Sequence, residues 1–227
     1  MKKIFLLLII LFSVSSAFSQ YNYNKFNYYT VGLKLGPDFY FYNMDENKNG
    51  TFDNNFDYSI GVSGGYYFSW LIEFHGAAYY SNRNFAIDWH YPGIPVGPND
   101  PKVLTRSEYR ISYLNFPLEA RFNVLYLNWM KLNVGTGIMP DFRFKPRETQ
   151  YYNNGDIVDS DQYWQTKDFT RLLIAIPFSL NFKFYFERHI SMEVSGSYYL
   201  YLNRMQEDFL TKPGSAVATR LAVYYEW

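Results

Sequence analysis

The last twelve residues, 216–227 (AVATRLAVYYEW), constrain the fold more than any other stretch of the chain. Counting back by twos gives Trp227, Tyr225, Val223, Leu221, Thr219 and Val217, all apolar but Thr219; between them lie Glu226, Tyr224, Ala222, Arg220 and Ala218. Alternate side chains of a β-strand point to opposite faces, so this segment has one apolar face and one more polar one. A half-buried soluble sheet alternates in the same way. Lipid is the better reading because the pattern recurs in long segments with aromatic ends and a polar second face.

Seven further segments repeat it, at 29–42, 56–68, 71–89, 106–123, 130–145, 168–186 and 190–203. In the first, Val31, Leu33, Leu35, Phe39 and Phe41 share a face opposite Gly32, Lys34, Gly36 and Asp38. In the sixth, Leu172, Ile174, Ile176, Phe178, Leu180, Phe182 and Phe184 form an unbroken apolar row. The connectors alternate in length: 69–70, 124–129 and 187–189 are short, whereas 43–55, 91–104, 146–167 and 204–215 are long and polar. Short turns at one end and long loops at the other mark an outer-membrane barrel. About ten residues at ~3.3 Å each, tilted near 40°, cross an apolar band of ~25 Å. Only a closed barrel then satisfies every backbone group in lipid. The expected fold is all-β: an eight-stranded antiparallel up-and-down transmembrane β-barrel over residues 29–227.

The compartment follows from the amino end. Lys2 and Lys3 precede an apolar run at 4–12, and Ala17-Phe18-Ser19 is a small-x-small cleavage site. Residues 1–19 therefore read as a secretory signal peptide, with Gln20 opening the mature chain and 20–28 as a periplasmic lead-in. The apolar run is too short for a membrane-spanning helix. The chain has no cysteine, which excludes disulfides and a lipid-anchoring lipobox. Twenty-four tyrosines and 21 phenylalanines without a hydrophobic helix suit a barrel wall with aromatic girdles. Acidic and basic residues balance at 21 each, giving no reason to expect nucleic acid as a partner. The expected location is the bacterial outer membrane, with both termini periplasmic.

Two prolines stand in similar surroundings: Phe116-Pro117-Leu118-Glu119-Ala120-Arg121-Phe122 echoes Ile176-Pro177-Phe178-Ser179-Leu180-Asn181-Phe182. The echo reads equally as duplication or as convergence. Either way a proline removes a ladder donor and should mark a local irregularity in the wall.

The Gly32-x-Lys34-x-Gly36 opening, the run Tyr113-Leu114-Asn115-Phe116-Pro117-Leu118 and the terminal aromatic resemble the PorT-like outer-membrane β-barrel family of Bacteroidota. The resemblance covers the whole mature chain. It implies an eight-stranded barrel inserted by the β-barrel assembly machinery, with Leu221, Val223, Tyr225 and Trp227 as the assembly signal. One branch of that family serves type IX protein secretion.

An eight-stranded barrel has an interior just wide enough for side chains. The inward positions of the periplasmic half include Lys34, Glu73, Glu119, Arg121, Lys183, Glu193, Arg220 and Glu226, four of each sign. Buried charges are tolerated when paired, so an interlocked ion-pair plug is expected rather than solvated charges around a water path.

Three chemistries merit testing. Asp45, Asn47, Asn49 and Asp53 fit the start of a calcium loop, but the twelfth position is Phe56 and no helices flank it; an Asn/Asp-rich surface loop is the favoured reading over a calcium site. Catalysis would need a nucleophile beside a base. His189-x-Ser191 lies at a periplasmic turn, which leaves Ser81, Asp88 and His90 as the one plausible trio; no enzymatic activity is expected. Tyr151, Tyr152, Tyr163 and Trp164 sit in the longest loop, as a protein or glycan surface or as a lid over the mouth. The expected role is a non-enzymatic scaffold or binding component acting through its loops, inside a larger outer-membrane complex. Its partners are outer-membrane lipid, lipopolysaccharide and other outer-membrane proteins; an accessory role in secretion and a lipid A-modifying enzyme are the alternatives.

Overall fold

The computed structural model describes residues 28–42, 50–54, 56–90, 102–127, 129–160, 170–186, 189–205 and 214–227. The proposed signal segment, the lead-in through residue 27, and Asp45, Asn47, Asn49, Tyr163 and Trp164 lie outside them. Among the described residues there are eleven strands: β1 (Tyr28–Phe41), β2 (Gly50–Asn54), β3 (Phe56–Tyr67), β4 (Ile72–Trp89), β5 (Leu104–Asn115), β6 (Leu118–Tyr126), β7 (Met130–Tyr152), β8 (Ile157–Ser160), β9 (Leu172–Tyr185), β10 (Ile190–Tyr201) and β11 (Ser215–Glu226).

They occupy eight positions around a ring. β2 and β3 both pair with β4, β5 and β6 both lie between β4 and β7, and β8 extends the edge of β7 beyond the start of β9. Every pairing is antiparallel. β11 closes the ring on β1 from Thr30↔Glu226 to Phe41↔Ser215. The seam is sealed by Tyr29 N donating to Trp227 O at 3.0 Å and Trp227 N donating to Tyr29 O at 3.1 Å. The molecule is an eight-stranded antiparallel transmembrane β-barrel, with no sheet edge left along this seam.

Alternation sets the faces. On β11 buried and exposed residues alternate strictly from Ala216 to Glu226, with Leu221, Val223, Tyr225 and Trp227 on the outside. At the end carrying the termini, Tyr29, Phe68, Trp70, Trp129, Phe186, Tyr225 and Trp227 are exposed, as an interfacial aromatic girdle requires.

Several boundaries differ from the sequence reading, the largest where backbone pairing outweighs polar composition. Residues 50–54, read as loop, form β2 against Phe85–Trp89 of β4. The fifth segment does not end at 145: β7 runs to Tyr152 and folds back through Gly155, whose φ of 86° suits a residue without Cβ, into β8. Tyr151 and Tyr152 are therefore strand residues, not loop residues. The turn read at 124–129 is shorter, because β6 continues to Tyr126. Finally, β1 begins at Tyr28, one residue into the lead-in.

The prolines behave differently. Phe116-Pro117 separates β5 from β6; there Phe116 N bonds to Pro140 O and Ala77 N to Pro117 O, so the wall stays closed across the break. Pro177 sits inside an unbroken β9, and the β7–β9 ladder merely skips from Thr136↔Phe178 to Met139↔Ala175.

Candidate functional site

The lumen is filled, and its contents are stacked in layers along the axis. Nearest the termini, Lys183 Nζ lies 2.9 Å from Glu226 Oε1 and donates to Tyr67 Oη at 3.0 Å, while Ser191 Oγ donates to the same Glu226 oxygen at 2.7 Å. Lys131 Nζ sits 3.4 Å from the centre of the Tyr67 ring and 3.7 Å from Glu73 Oε2, a cation held by an aromatic face and a carboxylate.

The next layer centres on Arg121. Its Nε donates to Glu119 Oε2 at 2.9 Å, and its Nη1 donates to Glu193 Oε2 at 3.1 Å and lies 3.7 Å from Glu73 Oε1. Lys34 Nζ donates to the other Glu193 oxygen at 2.8 Å, and Ser179 Oγ to Glu119 at 3.0 Å. His75 Nε2 lies 3.1 Å from Tyr224 Oη, which accepts from Ser63 Oγ at 2.9 Å. Seven of the eight residues read as lumen charges thus meet in these two adjoining layers.

Arg220 does not join them. It donates to Asp38, to Ser59 Oγ at 2.9 Å and to the Tyr199 hydroxyl, forming a layer of its own. One layer further, Arg83 pairs with Asp141, donates to Tyr201 Oη at 2.8 Å and stacks its guanidinium over the Tyr113 ring at 4.0 Å. Lys131 and Arg83 were missed in the sequence. Both have the same odd-numbered parity as the inward residues of their strands, Asn133 and Glu73, and parity alone would have found them. Six lumen cations and six carboxylates are thus joined in ion pairs; Asp57, also buried, instead accepts from the Asn84 main-chain N–H at 2.9 Å and from its side-chain amide.

Beyond Arg83 the interior changes character. Phe85, Ile87, Ile111, Tyr113, Met139, Leu173 and Met205 form an apolar and aromatic cluster inside the ring. The expectation of a polar inner face along the whole axis is wrong here, for a physical reason. On β4 and β5 the outward residues at this level are Asn82, Asn84, Asp88, Arg106, Glu108 and Arg110. This part of the wall has a polar outside and an apolar inside, the polarity of a protein in water; below Tyr80 and Leu114 the polarity is that of a protein in lipid. The change of level is marked by a polar cluster: Tyr80 Oη and Ser112 Oγ both donate to Asn82 Oδ1, at 3.1 and 2.8 Å.

The far rim carries the remaining charged groups. Arg106 gathers three carboxylates: Glu108 (3.0 Å), Asp88 (3.1 Å) and Asp53 (3.7 Å). Asp53, read as a calcium ligand, thus stands in β2 facing a guanidinium. Among the described residues no three His, Asp or Glu side chains are grouped to hold a metal ion. Tyr151 Oη donates to Glu108 Oε2 at 3.1 Å, and Lys102 lies 4.2 Å from the Tyr152 ring centre. In the β7–β8 turn, donation from Asn154 and then from Lys102 holds the Asp156 carboxyl below its ordinary range.

The trio considered for catalysis does not assemble. Ser81 is buried and donates to Asn115 Oδ1 at 2.6 Å, Asp88 accepts from Arg106, and His90 Nε2 lies 3.3 Å from Thr51 Oγ1. At the other end, Ser191 turns inward to Glu226, whereas His189 Nδ1 reaches the Glu226 main-chain oxygen at 2.7 Å.

Among solved structures, the chain is similar to the outer membrane protein OprG from Pseudomonas aeruginosa, with a TM-score of 0.52 and 12% identity over 89% of this chain and 97% of that one. It is also similar to Ail, the attachment invasion locus protein of Yersinia pestis (TM-score 0.46, 9% identity, 87% and 98% covered). Neisserial surface protein A gives 0.45 and 9%, over 87% and 96%. The fold is that of outer-membrane β-barrels. No family model and no curated protein matches the chain.

Proposed function

We propose that this protein is a non-enzymatic integral barrel of the bacterial outer membrane, with both termini periplasmic, which acts as a scaffold or binding component of a larger membrane complex. One observation carries the reading: the axis is blocked by paired charges in one half and by an apolar cluster in the other, so what the protein offers to partners is its outer wall and far rim. The aromatic girdle and the polarity change at Tyr80 and Leu114 support a membrane location. The resemblance to PorT-like barrels, carried by Gly32, Lys34, Gly36 and the run at 113–118, favours an accessory role in type IX-like protein secretion as the second reading. The scattered positions of Ser81, Asp88 and His90 speak against an enzyme acting on lipid A.

Mild-detergent purification of the tagged protein from its host, followed by mass spectrometry, tests the scaffold reading. Stoichiometric recovery of other outer-membrane proteins is expected, and recovery of the lone barrel at every detergent strength overturns it. Reconstitution into planar bilayers should give no sustained conductance, since buried side chains fill the described lumen.

A further inference from the structure

We propose that the outer edge of β8 docks an extended segment of a partner protein, which adds to the barrel wall as a further strand. The proposal rests on the binding role above and names the edge through which that role works.

Past the polarity change the wall continues as a sheet in the order β2, β4, β5, β7, β8. Among the described residues β8 pairs with β7 alone, so it ends this sheet. The register shows which main-chain groups are left over. Tyr152 N donates to Asp156 O at 3.0 Å, and the ladder continues through Gln150↔Val158 and Glu148↔Ser160. In an antiparallel ladder only alternate residues turn their N–H and C=O toward a given neighbour. Val158 and Ser160 therefore face β7, while Ile157 and Asp159 present their main-chain groups to the other side. Such an edge is a template for another extended chain.

The side chains narrow the occupant. Ile157 is 62% exposed and Val158 39%. They are consecutive, so they stand on opposite faces of the sheet. A strand laid alongside covers both only if it carries two consecutive apolar residues, β-branched or aromatic for the best cross-strand contact. A hydrocarbon tail does not fit. Ile157 stands opposite Tyr151, at the end of β7 far past Phe142, where the outward wall is already polar.

Symmetry argues against a second copy. Two β8 edges joined antiparallel are related by a twofold axis perpendicular to the sheet. The wall stands upright in the membrane, so that axis lies in the membrane plane and inverts one barrel. Joined in parallel, the axis runs along the strands; with a tilt of about 40° one barrel would tip through about 80°. Neither arrangement fits one bilayer. The β2 edge of a second copy reads GTFDN and lacks two adjacent apolar residues.

The test uses the full chain in its host. Ile157→p-benzoylphenylalanine and Val158→p-benzoylphenylalanine, irradiated in intact cells, should each cross-link to one other protein, at adjacent residues of one short segment. Asp159→Pro removes an outward N–H that β7 does not use, and should lower the cross-link at position 158 about tenfold or more. Heat-modified migration in gels checks that the barrel stays folded. A synthetic peptide of the cross-linked segment, added to the refolded wild-type chain, should slow amide exchange at Ile157 and Asp159 about tenfold or more, the worth of a main-chain hydrogen bond. Val158 and Ser160 should change less.

Cross-links to this chain's own residues or to a second copy would assign the edge to self and overturn the proposal. So would products scattered over unrelated segments, no product, cross-linking unchanged by Asp159→Pro, or equal slowing at all four amides. Partners recovered in the purification without a cross-link at β8 would sink this edge and leave the scaffold reading standing. A cross-linked segment with a lone barrel in the purification would keep the edge and sink the stable complex.

Discussion

Arg121 shows what a single buried charge does in this lumen. It is the cation shared by Glu73, Glu119 and Glu193, and it is almost fully enclosed. Removing one partner of a buried pair leaves the other desolvated and uncompensated, at a cost of ~3–5 kcal/mol. Arg121→Met should lower stability by that order in urea unfolding from lipid vesicles, with Lys34 still covering part of Glu193. Arg106 is also surrounded by three carboxylates but is about a third exposed, at 34%. Solvent screens it, and Arg106→Gln should change stability by no more than ~1 kcal/mol in the same assay. Counting ion pairs would rank the two residues equally; burial separates them.

At the scale of the strand, the wall is tightest where glycine meets a neighbouring backbone. A Cβ on Gly137 of β7 would fall 1.9 Å from the Leu118 carbonyl oxygen of β6, whereas one on Gly196 of β10 would meet nothing within 4 Å. Gly137→Ala must push β6 and β7 apart and should cost on the order of 1–3 kcal/mol or more. Gly196→Ala should be neutral or stabilise by up to ~1 kcal/mol, because it restricts the unfolded chain without a clash. Thermal or urea unfolding of the two variants side by side checks both.

Strands of this kind were largely legible. Period-two alternation located all eight ring positions, and in the lower barrel it assigned inward and outward faces, because lipid on one side and a narrow axis on the other leave each position only one polarity. The misses share a cause. Residues 146–152, with their arginine, glutamate and threonine, read as loop because a strand was equated with an apolar outward face. In β7 that face turns polar while the main-chain ladder to β5 continues. For the same reason the apolar interior around Ile111 and Leu173 was not foreseen, and Tyr151 and Tyr152 were taken for loop aromatics. Lumen partners were less legible than lumen residues: alternation gives the side of the wall, but which cation faces which carboxylate depends on strand stagger. Hence Arg220 was grouped with the wrong layer, although its pairing with Asp38 joins two adjacent strands.

The whole molecule depends on the seam where its ends meet. Ten registered residue pairs join β1 to β11, and Trp227 adds two main-chain hydrogen bonds to Tyr29. Deleting Trp227 should reduce equilibrium stability by only about 1–3 kcal/mol, the worth of two such bonds. If the terminal aromatic is also read by the assembly machinery, insertion in cells should fall far more than stability does. Comparing the membrane-inserted fraction with the urea midpoint of the refolded variant separates the two effects.

The switch of polarity along β4 and β5 fixes how the barrel floats. Sinking it by one pair of residues would drag Asn82 and Ser112 into hydrocarbon, and lifting it would strand Leu114 and Phe142 in water. Among the described strands the switch occurs on the side where β4, β5 and β7 run furthest from the termini, so that flank of the described wall rises like the raised gunwale of a listing hull. A partner resting on that flank would therefore meet it at a height fixed by the membrane.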